Sequence, residues 1–163
     1  MNTRIRQFAI GSALIVACSV GCSTARQYVV NPFRSPDHDR DMRYSLAQVM
    51  EREGDLYKAE HAYRDLIHEN PKDPRYSHRL GVVLVRQGEL HEGIVLLKKA
   101  KDIKSDDVGI LNDLGYAYIL KGEFETAEMT LREAAKIDGK DQRTANNLAL
   151  AVGYAGRDDE AYE

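Results

Sequence analysis

The sequence repeats itself every 34 residues. Gly54, Gly88, Gly122 and Gly156 stand at that interval, and so do Leu46, Leu80, Leu114 and Leu148. The residue after each leucine is small (Ala47, Gly81, Gly115, Ala149), and a second small position reads Ala59, Gly93, Ala127 and Ala161. Four positions kept through four copies without a slip define an array of one supersecondary unit. In the copy at 108–141, Leu111, Leu114, Tyr118 and Ile119 recur at helical spacing, as do Phe124, Ala127, Leu131 and Ala134. Each set draws an apolar stripe along one helix. Gly122 between them ends the first helix in left-handed backbone, which is cheap only for glycine. The small Gly115 and Ala127 leave room for the two helices to approach. Such a hairpin has an apolar face it cannot bury alone, so each copy needs a neighbour.

The pattern predicts repeats at 40–73, 74–107 and 108–141 and a partial fourth at 142–163. Expected helices run near 41–53 and 56–69, 75–87 and 90–103, then 108–121 and 124–137. Pro74 stands at a helix start, where a missing N–H costs nothing. A seventh helix begins at 142 and reaches about Ala155, and an eighth opens at Asp158. The sequence leaves that last helix at Glu163, after two turns at most. Arrays end in a helix that covers the last apolar face, so Leu148 and Val152 are expected to be exposed, as in a truncated chain.

A 34-residue helix-turn-helix with Leu-Gly, then an aromatic, then Gly, aromatic and Ala resembles the tetratricopeptide repeat. The third copy carries the fullest match, with Leu114, Gly115, Tyr118, Gly122, Phe124, Ala127 and Ala134; the first adds Tyr63 and the closing Pro71. Ser105 and Gly139 replace the helix-stopping proline, and Leu56 and Leu90 stand where an aromatic is usual. The resemblance covers residues 40–163. It implies an all-α, right-handed superhelical solenoid whose first helices line a concave face, chiefly at their second, fifth, sixth, ninth and twelfth positions. Mapped onto this chain, the groove residues are Tyr44, Gln48, Arg75, His78, Arg79, Val82, Asn112, Asp113, Tyr116, Asn146, Asn147 and Leu150. Amides, arginines and tyrosines suit an extended protein or peptide ligand held by backbone hydrogen bonds and stacking. Replacing Arg79 or Tyr116 is accordingly expected to weaken a partner and spare the fold. A clamp for a C-terminal carboxylate needs lysine at a fifth position and asparagine at the ninth. Tyr44 with Gln48, and His78 with Val82, do not supply it.

The N-terminus differs in kind. Arg4 and Arg6 precede an apolar run from Phe8 to Val20, too short for the ~20 residues that span a bilayer but suited to an export signal. The run closes in Ser19-Val20-Gly21-Cys22, which resembles a bacterial lipoprotein signal with Cys22 as the lipidated first residue; Ile15-Val16-Ala17-Cys18 also fits, so Cys18 is the alternative. The expected organisation is a signal at 1–22 and a tether at 23–39, in which Pro32 and Pro36 break helix. Ser23 after Cys22 is not acidic, which for a Gram-negative lipoprotein points to the periplasmic side of the outer membrane.

Little else suggests chemistry. The alternating acids at Asp37, Asp39 and Asp41 begin like a calcium loop, but Met42 and Gln48 stand where Gly and Glu are required. His61 and His68 are too far apart along one helix for one metal. Glu51, Glu53 and Asp55 read as a solvated turn. No phosphate loop or nucleophile elbow occurs, and neither cofactor nor metal is expected. The net charge is −3, and −5 without the segment bearing Arg4 and Arg6, which excludes the basic stripe of a nucleic-acid binder. The leading reading is a lipid-anchored, non-enzymatic adaptor of the bacterial envelope that binds protein, similar to the tetratricopeptide lipoproteins serving pilus or secretion assembly. The alternatives are the non-catalytic start of a longer envelope enzyme and a structural protein that self-associates.

Overall fold

The computed structural model describes residues 35–156. Cys18, Cys22, residues 23–34 of the expected tether and the predicted eighth helix lie outside the described residues. Seven helices follow in order: α1 (Pro36–Arg52), α2 (Leu56–Glu69), α3 (Pro74–Gln87), α4 (Leu90–Ile103), α5 (Val108–Lys121), α6 (Phe124–Ile137) and α7 (Gln142–Tyr154). No strand occurs among the described residues. Helices pair as hairpins, α1 with α2, α3 with α4 and α5 with α6, and each hairpin packs on the next; α7 packs on α6 and α5.

Six helices begin within a residue of the expected place, and α1 does not. It starts at Pro36, five residues early, because the Ser35 hydroxyl accepts the His38 amide as N-cap and proline fits the first helical position. Pro36 therefore starts a helix where a break was expected. The later first helices use aspartate instead: Asp73, Asp107 and Asp141 accept the amides of Arg75, Ile110 and Thr144 at 2.9–3.2 Å. Gly88 and Gly122 end α3 and α5 with φ of 90° and 82°, the left-handed caps read from the sequence.

Two apolar clusters fill the stack. One joins Ala47, Ala59, Tyr63 and Leu66 to Tyr76, Leu80, Val83 and Leu84, bonding the first hairpin to the second. The other runs from Val85, Ile94 and Leu97 through Leu114, Ala117 and Tyr118 to Leu131 and Ala151. Val152 is buried and Leu148 half-buried, contrary to the exposure expected of them, since α7 packs on α6 as α5 packs on α4.

The small residues are needed where helices cross. A β-carbon at Gly115 would lie 2.5 Å from Leu131 Cγ, and one at Gly93 would lie 2.8 Å from Val85 Cγ2 and 3.0 Å from the Gly81 carbonyl oxygen. Leu131 is fully buried and cannot swing away. Gly115→Ala should therefore lower stability even though alanine favours helix by about 1 kcal/mol, since overpacking costs roughly 1–3 kcal/mol. In denaturant titrations Gly115→Ala combined with Leu131→Ala should cost less than the two single changes together. A rise in melting temperature for Gly115→Ala alone would contradict the packing argument.

Candidate functional site: the concave face

The first helices α1, α3, α5 and α7 carry the predicted groove residues, and the structure divides them into three groups.

The N-terminal group is committed to its own fold. Tyr44 is half-buried between Tyr63 and Tyr76, with ring centroids 6.0 and 5.5 Å away, and burial pushes its hydroxyl pKa up. The Arg75 guanidinium lies 5.1 Å from the Tyr44 ring and 5.5 Å from that of Tyr76, within cation–π range. It also bonds Asp73 at 2.7 Å and Asp41, 34 residues earlier, at 3.1 Å. Arg79 is turned onto the carboxylate of Glu51, which is only 3% exposed and also accepts the Tyr63 hydroxyl at 3.1 Å. Arg86 adds a bond to the Glu51 carbonyl oxygen at 3.3 Å. Burial alone would pull the Arg79 pKa down, and the Glu51 carboxylate more than reverses it. Glu51 is thus not part of a solvated turn. It stands at the place occupied in later repeats by the buried Val85 and Ile119, and that equivalence is the signal the sequence held.

The middle group forms a ladder. His78 Nε2 lies 2.7 Å from Asp113 Oδ2, and the Asn147 amide donates to Asn112 Oδ1 at 3.0 Å. Both links span 35 residues, the fifth position of one first helix to the sixth of the next, so they tie α3 to α5 and α5 to α7. Asn112 is buried by this arrangement.

The C-terminal group is open. Asn112, Asp113, Tyr116 and Asn147 line one depression of about 270 Å³ with Arg143. Tyr116 is 42% exposed, Leu150 and Asn146 are also exposed, and the Asn146 side chain accepts from Gln142 at 3.1 Å. Gln48 and Val82 are half-buried, and Val82 packs against the larger cluster. Arg143 was missed by the sequence reading, although it holds the same second position as Arg75. Its guanidinium is well exposed, with Asp141 3.9 Å away.

This arrangement can bind and offers no assembled catalytic constellation among the described residues. Stacked helical hairpins with a lined inner face define the class: a repeat solenoid. Residues 108–141 match the family model described as tetratricopeptide repeat, and the other hairpins follow it at the same 34-residue interval. Solved structures agree on the fold. MamA from Desulfovibrio magneticus RS-1 is 18% identical with a TM-score of 0.70, covering 76% of this chain and 70% of its own. PilF of Pseudomonas aeruginosa is 22% identical with a TM-score of 0.71, covering 77% of this chain and 57% of its own. The first tetratricopeptide domain of Spaghetti (RPAP3), bound to the HSP90 peptide SRMEEVD, is 11% identical with a TM-score of 0.69, covering 72% and 93%. Against curated proteins, nothing matched. Likeness at these identities is likeness of fold.

The Glu51 network reverses the expectation for Arg79. Breaking a buried charge pair by removing one partner costs roughly 3–5 kcal/mol, so Arg79→Ala should lower stability by about 3 kcal/mol, with Arg86 and Tyr63 softening the loss. Replacing both charges together, as Glu51→Gln with Arg79→Met, should recover much of it. Equilibrium unfolding of the two variants beside the parent decides between this role and a free ligand contact, for which Arg79→Ala would melt like the parent.

Proposed function

We propose that this chain is a lipid-anchored adaptor of a bacterial envelope that holds a segment of a partner protein in its concave groove. The observation that carries the groove reading is the depression formed by Asn112, Asp113, Tyr116, Arg143 and Asn147. It sets an exposed guanidinium and an aromatic ring beside the mutually bonded Asn112 and Asn147 amides, a set suited to peptide backbone and side chains together. The complex of the Spaghetti domain with an HSP90 peptide supports peptide binding as a use of this fold. Likeness of fold to PilF and MamA, from two bacteria, supports a bacterial setting and is compatible with pilus or secretion assembly.

Anchoring rests on the sequence at Cys22. A thiolate is the strongest side-chain nucleophile available to accept a diacylglyceryl group, and cleavage before it frees an amine for a further chain. Two or more acyl chains hold stably where one does not. Among the described residues no helix is long and apolar enough to cross a membrane. Ser23 in place of an acid favours the outer membrane, facing the periplasm.

Two measurements test the halves separately. Tyr116 is exposed, so Tyr116→Ala should change stability by under about 0.5 kcal/mol while lowering capture of the partner from envelope extract. If Tyr116→Ala and Leu150→Ala retain every partner the parent captures, the concave groove is not the site. For the anchor, cells fed an alkynyl fatty acid should label the parent and not Cys22→Ala. Equal labelling of that variant would move the modification to Cys18 or remove it from the reading.

A further inference from the structure

The inner face continues one turn beyond the groove residues read from the sequence. The thirteenth position of each repeat lies four places after the ninth and so on the same helix face. It reads Arg52, Arg86, Leu120 and Tyr154 along the stack, all exposed. On α5 and α7 the ninth position adds Tyr116 and Leu150. Tyr116, Leu120, Leu150 and Tyr154 are 39–62% exposed, and the Asn112–Asn147 bond holds α5 against α7 one turn before them. α5 has α3 and α7 beside it and α6 behind it, so Tyr116 and Leu120 stay open with every repeat neighbour present. Tyr154 is stacked on the Phe124 ring, 5.2 Å away.

The face changes chemistry between α3 and α5. The single Glu51 carboxylate serves two guanidiniums: Arg79 bonds it, and Arg86 lies 3.6 Å from it. One positive charge is left over, and the Arg86 side chain is 46% exposed, so it keeps donors for an outside acid. Arg86 on α3, Leu120 on α5 and Tyr154 on α7 thus form a row of cation, apolar, apolar. Successive first helices touch through His78–Asp113 and Asn112–Asn147, and helices in contact lie about 8–10 Å apart. A polyproline II segment turns once in about three residues and rises ~3.1 Å per residue, so every third side chain returns to the same side after about 9 Å. A strand brings its side chains back every second residue, after about 6.7 Å, and falls out of step by the third helix.

We propose, resting on the groove reading above, that the groove takes a polyproline II segment of a partner protein with the pattern acid, two residues, apolar, two residues, apolar. The acid meets Arg86, and the apolar side chains lie over Tyr116–Leu120 and Leu150–Tyr154. A second copy offers no such segment among the described residues, where no connection between helices exceeds four residues, as at 70–73, 104–107 and 138–141. Residues 1–34 of the chain itself contain no acid.

The test uses the full-length chain and fluorescein-labelled peptides with the core Asp-Pro-Pro-Leu-Pro-Pro-Leu and its reverse order. Fluorescence anisotropy should show one of the two binding, and Asn in place of its Asp should weaken binding about two- to fivefold, the span of an exposed ion pair. Arg86→Gln in the chain should erase that difference, and Leu120→Asp should abolish binding; circular dichroism checks that both variants fold. Equal affinity for the Asp and Asn peptides would overturn the proposal. Tighter binding of a core with alanine spacers would also overturn it, by making the occupant a helix. Dissociation of a self-associated species by Leu120→Asp in sedimentation would give the groove to a second copy, and a tenfold gain in affinity on removing residues 23–34 would give it to the chain's own segment; either overturns it likewise. No binding of either peptide at millimolar chain, with the envelope partner still lost from Tyr116→Ala, sinks this ligand and leaves the groove. A partner retained by both Tyr116→Ala and Leu150→Ala sinks the groove and this ligand together.

Discussion

The array depends on close approach inside each hairpin. At Gly81 against Gly93 and at Gly115 against Leu131 there is no room for one more carbon. Interiors are close-packed, so a distance set at one crossing is transmitted to its neighbours. Once the two helices of a hairpin are brought that near, Leu97 and Leu131 are driven into the interior, and the outer faces of the pair are presented at a fixed angle to the next pair. Stability in such a stack is shared between a repeat and its neighbours, which makes these few crossings determinants of the whole.

The junctions are not chemically equal. Between the first and second hairpins the apolar cluster is backed by Glu51, Arg79, Arg86 and Tyr63, while further along Val85 and Ile119 occupy the equivalent places. A buried charge pair gives little net stability compared with apolar residues of the same shape, and punishes the loss of either partner. The polar half of the inner face is consequently spoken for by the fold. The half near α5 and α7 keeps Tyr116, Leu150 and Arg143 toward solvent.

Most of the fold was legible because a repeat multiplies evidence: one ambiguous helix becomes a pattern when its positions recur at 34 residues. The glycine caps, the hairpins and the placement of Leu111, Leu114 and Leu131 in the interior followed from that recurrence. What escaped was local. Ser35 and Pro36 began α1 early because a cap and a permissive first position act over three residues, below the reach of periodicity. The groove was legible as a set of positions and not as a set of available groups. Position alone could not say that Arg79 would turn to Glu51, that Asn112 would be satisfied by Asn147, or that Arg143 would stand in the opening.

The His78–Asp113 and Asn112–Asn147 links join alternate helices across the inner surface, whereas the outer pairs Arg64–Glu92 and Lys101–Glu133 join second helices whose charged groups are largely in water. Exposed ion pairs weaken with salt, and shielded polar links do so much less. The array is therefore a curved beam with unequal flanges. Flattening it should stretch the shielded inner ties, while tightening its coil should strain the outer pairs together with the apolar contacts beneath them. Rising ionic strength should therefore loosen the outer pairs sooner than the inner ties.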